Sequence, residues 1–174
     1  MPMHSRPSKP AGASVRETTR QRVFLTFAAG DLALARSVTS GLVASGGIAL
    51  DQALTSEPFD GLRGDLIRAS LLARLSHSAT ALCLYSANTV DDLWVRWALK
   101  AAAELRLPLI GAALPGGPAD DAERLLAGLG AELLPLDGER IVSAARSLSR
   151  GPLRPALDAA SIVETLHLMR HPLR

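Results

Sequence analysis

The sequence predicts an α/β protein in which helices cover both faces of a five-stranded parallel sheet. Segments with helical spacing alternate with short apolar segments along residues 22–150. The short segments are continuous apolar runs, such as ATALCLY at 79–85. Strands buried on both faces have this pattern, whereas half-exposed strands alternate between apolar and polar residues. Five such strand–helix units match the flavodoxin-like, doubly wound order.

Each element follows from its own local pattern. Strands are predicted at 22–27, 48–50, 79–85, 108–114 and 131–136. Helices are predicted at 32–45, 63–76, 93–105, 119–129 and 139–149. Asp31 is predicted to cap the first helix, and Asp91 or Asp92 the third. Ligands of such sheets bind at the carboxyl ends of the strands. The loops predicted at that edge are 28–31, 51–62, 86–92 and 115–118.

The chain divides into three predicted parts. Residues 1–21 are rich in Pro, Ser, Arg and Thr without periodicity, which predicts a disordered tail. Residues 22–150 form the α/β domain. Residues 151–174 form a helical appendix, in which an apolar stripe predicts a helix over 156–169. That helix docks either on the domain or on a partner.

Charge and hydropathy exclude several functional classes. The 19 basic and 17 acidic residues give a net charge of +2, but the bases concentrate at the two ends of the chain. The body of the domain is therefore acidic, unlike a nucleic-acid interface. No apolar run approaches the roughly 20 residues of a membrane span, and the first residues lack the apolar stretch of a signal peptide. We expect a cytoplasmic protein without nucleic-acid or membrane partners.

Common catalytic and metal motifs are missing from the sequence. A single cysteine, Cys83, excludes a disulfide framework and a Cys-based zinc site, and is predicted to be a small core residue. His167 and His171 are four residues apart but lack an evident third ligand, so no metal site is expected. There is no Walker A motif, no G-x-G-x-x-G after the first strand and no nucleophile elbow.

One segment resembles a known family. LYSANTVDDLWVRW at 84–97 resembles the signature that opens the helix after the central strand in TIR-like proteins, including the Thoeris antiphage sensors. VFLTF at 23–27, LIRASLLARLSHSAT at 66–80 and PLIGAAL at 108–114 are similar to other segments of that family. The order and spacing agree over roughly 22–117, and the WVRW segment carries most of the specificity.

The resemblance implies nucleotide chemistry. TIR-like enzymes bind NAD, cleave the bond between nicotinamide and ribose, and in Thoeris systems produce an ADP-ribose-derived signal for a separate effector. Their catalytic glutamate lies on the helix after the central strand, where this chain has Ala98. Glu104 lies six residues further on, at a different face of the helix. The resemblance therefore implies a chain that is inactive as written, and the sequence leaves open whether Ala98 is natural or substituted.

The same resemblance places the nucleotide beside two loops. The expected contact residues are Phe27, Ala28, Gly30, Asp31, Ser86, Asn88, Thr89 and Trp94. For Thr89 a helix-capping role is an equal alternative. NAD is expected as a substrate or ligand and not as a cofactor, with self-association and a signalling effector protein as further partners. Two alternatives stay open: a non-catalytic nucleotide-binding or protein-interaction module, and a nucleoside deoxyribosyltransferase-like enzyme.

Overall fold

The computed structural model describes residues 20–149, apart from 45, 47 and 54, and residues 157–169. Most of the predicted disordered tail lies outside the described residues, as do the beginning and end of the predicted appendix and His171.

Five strands and six helices make up the described fold. The strands are β1 (Gln21–Thr26), β2 (Ile48–Ala53), β3 (Thr80–Tyr85), β4 (Leu109–Ala113) and β5 (Glu132–Leu134). The helices are α1 (Leu32–Ala44), α2 (Gly61–Ser76), α3 (Leu93–Glu104), α4 (Asp120–Gly128), α5 (Gly138–Leu148) and α6 (Ala159–Leu168). Short 3-10 helices occupy Ala29–Asp31 and Ala87–Val90.

The sheet has the order β2-β1-β3-β4-β5, and all pairs of neighbouring strands are parallel. This is the predicted flavodoxin-like arrangement. The chain builds outward from β1 to β2, then returns to the other side of β1 with β3. The β1–β3 pair is thus the point at which the strand order reverses, where ligands of doubly wound sheets bind.

Two apolar clusters fill the two faces of the sheet. Helices α1 and α5 cover side chains such as Val23, Leu25 and Leu82 on one face. Helices α2, α3, α4 and the end of the α6 segment cover the other face, which carries Phe24 and Cys83. All six residues of β3 are buried, as its continuous apolar run predicts.

The second strand is longer than predicted. The sequence assigns residues 51–62, which contain Pro58 and Gly61, to a loop, but Asp51 and Gln52 belong to β2, which lies at an edge of the sheet. Arg74 of α2 pairs with the Asp51 carboxylate and donates to the Gln52 carbonyl. Helix α2 therefore provides hydrogen-bond donors for the polar end of this strand. The last strand is shorter than predicted, because β5 spans only three residues within the predicted 131–136.

The C-terminal helix docks on the domain and not away from it. Ile162 and Leu166 are half-buried against the cluster under α2 and α3, and Met169 is buried within it. Of the two alternatives left by the sequence, the described residues show the intramolecular one. Within the described part of the chain, no helix is long and apolar enough to cross a membrane.

Candidate functional site

A cleft opens at the switch point of the sheet, beyond the carboxyl ends of β1 and β3. The cleft is shallow: the space within it is about 300 Å³ only when the open solvent at its mouth is included. Its walls come from the end of β1, the loop after β2, helix α2 and the first turns of α3. The lining residues are Thr26, Phe27, Thr55, Leu71, Asp92, Trp94, Val95 and Ala98.

Ala98 forms part of the cleft wall. It follows Trp94 by one helical turn on α3, so both side chains face the cleft. Ala98 is only 3% exposed, and its methyl group neither donates nor accepts a hydrogen bond. This position therefore contributes shape to the cleft and no acid–base chemistry.

Asp92 is the carboxylate that lines the cleft. Its Oδ1 accepts hydrogen bonds from the backbone N–H groups of Trp94 (3.0 Å) and Val95 (3.1 Å). Of the two predicted caps for α3, Asp92 is therefore the one used. Its Oδ2 accepts from the backbone N–H of Ala29 at 2.9 Å. Both carboxylate oxygens are engaged, and the bond to Ala29 joins the loop after β1 to α3.

Asp31 forms a second link between the loops after β1 and β3. Asp31 is 5% exposed, and its carboxylate accepts from the Ser86 hydroxyl and, at 2.8 Å, from the Asn88 side-chain amide. The Ser86 hydroxyl also accepts from the Asn88 backbone N–H. The prediction that Asp31 caps α1 is wrong, because its carboxylate faces the other loop.

Thr89 has a capping role. It is fully buried, and its hydroxyl oxygen accepts from the backbone N–H of Ser86 at 2.9 Å, as one half of a reciprocal capping box. Of the two alternatives left open for Thr89, the structure shows the cap.

Trp94 connects the cleft wall to the loop after β2. Its indole N–H donates to the Glu57 carbonyl at 2.8 Å, and its ring packs against Phe59 with centroids 4.9 Å apart. Arg68 of α2 holds the same loop: it donates to the Phe59 carbonyl, and its guanidinium lies 4.6 Å from the centre of the Phe59 ring. These contacts fix the rim of the cleft.

Two carboxylates, those of Asp31 and Asp92, lie at the cleft or directly beside it. Burial is the main cause that raises the pKa of the Cys83 thiol to about 12, and the negative charges of Asp31 and Asp92 contribute to the same rise. Both carboxylates belong to the segments that follow the carboxyl ends of β1 and β3. Neither forms an ion pair with any residue that the structure describes. The described side chains also include no group of three or more metal-binding residues.

The predicted site residues fall into two sets. Phe27, Trp94 and Ala98 line the cleft directly. The others lie beside it, in the segments that follow β1 and β3: Ala28, Gly30, Asp31, Ser86, Asn88 and Thr89. Four of these side chains form hydrogen bonds within the protein: those of Asp31, Ser86, Asn88 and Thr89.

Sequence reasoning missed several lining residues. They are Thr26, Thr55, Leu71, Asp92 and Val95. The sequence contains a signal for Asp92, because a residue that caps the helix after a strand lies near the carboxyl end of that strand. Thr55 lies in the loop at 51–62 that the sequence places at the ligand-binding edge, whereas Leu71 had no signal, because its place in the cleft depends on how helix α2 folds back over the sheet.

Comparisons with known proteins give a distant likeness only. No protein-family model matches the chain, and no curated protein matches it. A solved structure that is similar is described as "Structure of the activated Roq1 resistosome directly recognizing the pathogen effector XopQ (TIR domains)". The TM-score is 0.47 at 13% identity, covering 73% of this chain and 98% of that chain.

Proposed function

We propose that this chain is a TIR-like domain that binds NAD or a related nucleotide in the switch-point cleft without cleaving it. The observation that carries the proposal is Ala98, which lines the cleft at the position where the sequence resemblance expects a catalytic glutamate. The cleft lies at the switch point and Trp94 lines it, which supports a nucleotide at its mouth, but a methyl group stands where the reaction needs a carboxylate.

The chemistry of cleavage explains why this matters. Breaking the bond between nicotinamide and ribose builds positive charge on the ribose, and a nearby carboxylate stabilises that charge. Asp92 also lines the cleft, but three backbone N–H groups already use its oxygens. Trp94 packs against Phe59 but also lines the cleft, so the proposal assigns it the contact with a planar group of the ligand. The described residues thus favour binding over catalysis.

The proposed biological setting is a cytoplasmic antiphage system of the Thoeris type. In that setting a catalytic relative produces an ADP-ribose-derived signal from NAD, whereas this chain holds a nucleotide as a pseudoenzyme. Further copies of the chain and a signalling effector protein are the proposed partners.

A second candidate is a module that binds proteins and no nucleotide. The hydrogen bonds among Asp31, Ser86 and Asn88 favour it, because a ligand has to compete with them for the loop side chains. A nucleoside deoxyribosyltransferase-like enzyme fits less well, since that resemblance also requires a glutamate on α3, where Ala98 stands.

The test is a set of three chains incubated with NAD, with nicotinamide release followed by chromatography. We expect release by the Ala98→Glu variant and none by the unchanged chain or by Ala98→Gln. Gln fills the cleft as Glu does but carries no charge, so the comparison separates carboxylate chemistry from a change of shape.

Two results would count against the proposal. Release by the unchanged chain or by Ala98→Gln would show that cleavage needs no carboxylate at position 98. If no variant releases nicotinamide and calorimetry detects no binding of NAD or ADP-ribose, the nucleotide function is rejected and the protein-binding module remains.

A further inference from the structure

Helix α6 contacts the domain along one of its faces. Ile162 and Leu166 are half-buried against the cluster under α2 and α3, and Met169, directly after the helix, is 2% exposed. Val163 lies on the outer face and is 67% exposed. A helix of ten residues is marginal by itself in water, so docking is what keeps this one formed.

Trp97 of α3 contacts the residue that directly follows α6. It is fully buried, and its indole N–H donates to the Met169 carbonyl at 2.8 Å. A buried indole N–H requires a partner, and the described structure provides one only through the end of the C-terminal helical segment. Displacement of α6 would leave the N–H without an acceptor and remove the cover from the ring.

The neighbours of Trp97 on the same helix form the cleft wall. Trp94 precedes it by three residues and Ala98 follows it directly, and both line the cleft. Helix α2, on which α6 packs, contributes Leu71 to the same cleft. Both helices that wall the cleft are therefore held from behind by the C-terminal segment.

We propose that α6 is a strap that sets the position of α3 through Trp97 and thereby controls the shape of the switch-point cleft. When the strap is docked, Trp94 keeps its bond to the Glu57 carbonyl and the rim loop stays closed over the cleft. When it is released, α3 shifts and that bond is lost. The proposal concerns the geometry of the cleft and does not depend on which ligand binds there.

The chain contains two tryptophans, so two indole N–H signals report the two ends of this link in a ¹H–¹⁵N correlation spectrum. The variants Trp94→Phe and Trp97→Phe assign the signals. Ile162→Asp then places a charge on the docked face of α6, and Val163→Asp places the same charge on the exposed face as a matched control. We expect Ile162→Asp to shift both indole signals and Val163→Asp to shift neither.

A shift of the Trp97 signal alone would overturn the proposal, since α6 would then cover the core without affecting the cleft wall. Shifts of equal size in Val163→Asp would overturn it as well. If circular dichroism shows that Ile162→Asp is unfolded, Leu166→Ala provides a milder loss of docking. The same two signals decide the outcome, and an unmoved Trp94 signal in that folded variant rejects the strap.

Discussion

At the scale of single residues, Asp92 illustrates how one carboxylate joins two parts of the site. It begins α3 by accepting from two backbone N–H groups, and it accepts a third from Ala29 in the loop after β1. The first role follows from the sequence, because an aspartate before an apolar helical segment predicts a cap. The second could not be predicted, since it depends on the β1–β3 pairing that brings residues 63 positions apart together.

Replacing this carboxylate tests both roles. We expect Asp92→Ala to lower the free energy of unfolding by about 1–2 kcal/mol, the usual cost of losing a helix cap, with a further loss from the unpaired Ala29 N–H. Asp91→Ala is the matched control: Asp91 is exposed, and we expect a change within about 0.5 kcal/mol. Urea denaturation measures both, and equal losses in the two variants would contradict the assignment of the cap to Asp92.

Ala98 shows the opposite case, in which sequence reasoning identified the position and the structure gave it a location. The resemblance singles out Ala98 because it directly follows the WVRW segment, and the described fold places Ala98 in the cleft wall. Asp31 shows the limit of the same reasoning. Its position before a helix predicts a cap, but the neighbouring loop supplies better donors in Ser86 and Asn88.

At the scale of elements, the loop after β2 depends on a close approach between backbone and helix. Gly64 in the first turn of α2 lies against the Phe59 carbonyl, and a Cβ atom at Gly64 would stand 1.9 Å from that oxygen. The same carbonyl accepts from Arg68. A side chain at position 64 would therefore push away the loop that Trp94 and Phe59 hold over the cleft.

We expect Gly64→Ala to destabilise the protein, because the contact is with backbone and not with the end of a flexible side chain. Gly41→Ala in α1 is the matched control: a Cβ atom there meets nothing within 4 Å. Alanine in a helix interior is favoured over glycine by about 0.5–1 kcal/mol, so the control is expected to raise stability. Thermal unfolding compares the two, and a neutral or stabilising Gly64→Ala would show that the loop is not held in this position.

Element prediction succeeded where local pattern and tertiary setting agree. The five helices of the domain and the central strands were all identified, because their apolar spacing matches the face they bury. The errors lie at the edges of the sheet. β2 continues through Asp51 and Gln52 because Arg74 reaches across from α2, and no local signal records a partner 22 or more residues away.

At the scale of the whole molecule, the C-terminal helix belongs to the same core as the central strand. Met169 and Cys83 are members of one cluster of buried residues, although the sequence between α5 and α6 reads as a break. The order of the sheet could be predicted from the alternation of elements. The site could be predicted only in part, since its walls come from segments whose mutual packing the linear pattern does not encode.

Alkaline pH tests the burial of this core. Burial raises the pKa of Cys83 from 9.0 to about 12, and burial followed by the charge of Glu123 raises the pKa of Tyr85 from 10.0. Both groups stay neutral in the folded protein where they would ionise in the unfolded chain. The unfolded chain therefore releases protons as pH rises above about 9, and folding stability falls over that range.

We expect the Cys83 thiol to have no effect on the pH dependence of the free energy of unfolding below pH 9. Between pH 9 and 12 its contribution should lower that free energy by up to about 1.4 kcal/mol per pH unit, as measured by urea denaturation. Cys83 is the single cysteine of the chain, so Cys83→Ala removes its whole contribution. The variant has a different free energy of unfolding at neutral pH because the smaller side chain leaves a cavity. Its free energy of unfolding should fall less steeply with pH, because the unfolded variant releases about one proton fewer. Tyr85 continues to contribute in both chains. Parallel slopes would mean that the thiol ionises as readily in the folded protein as in the unfolded chain, and that the end of β3 beneath the cleft is open to solvent.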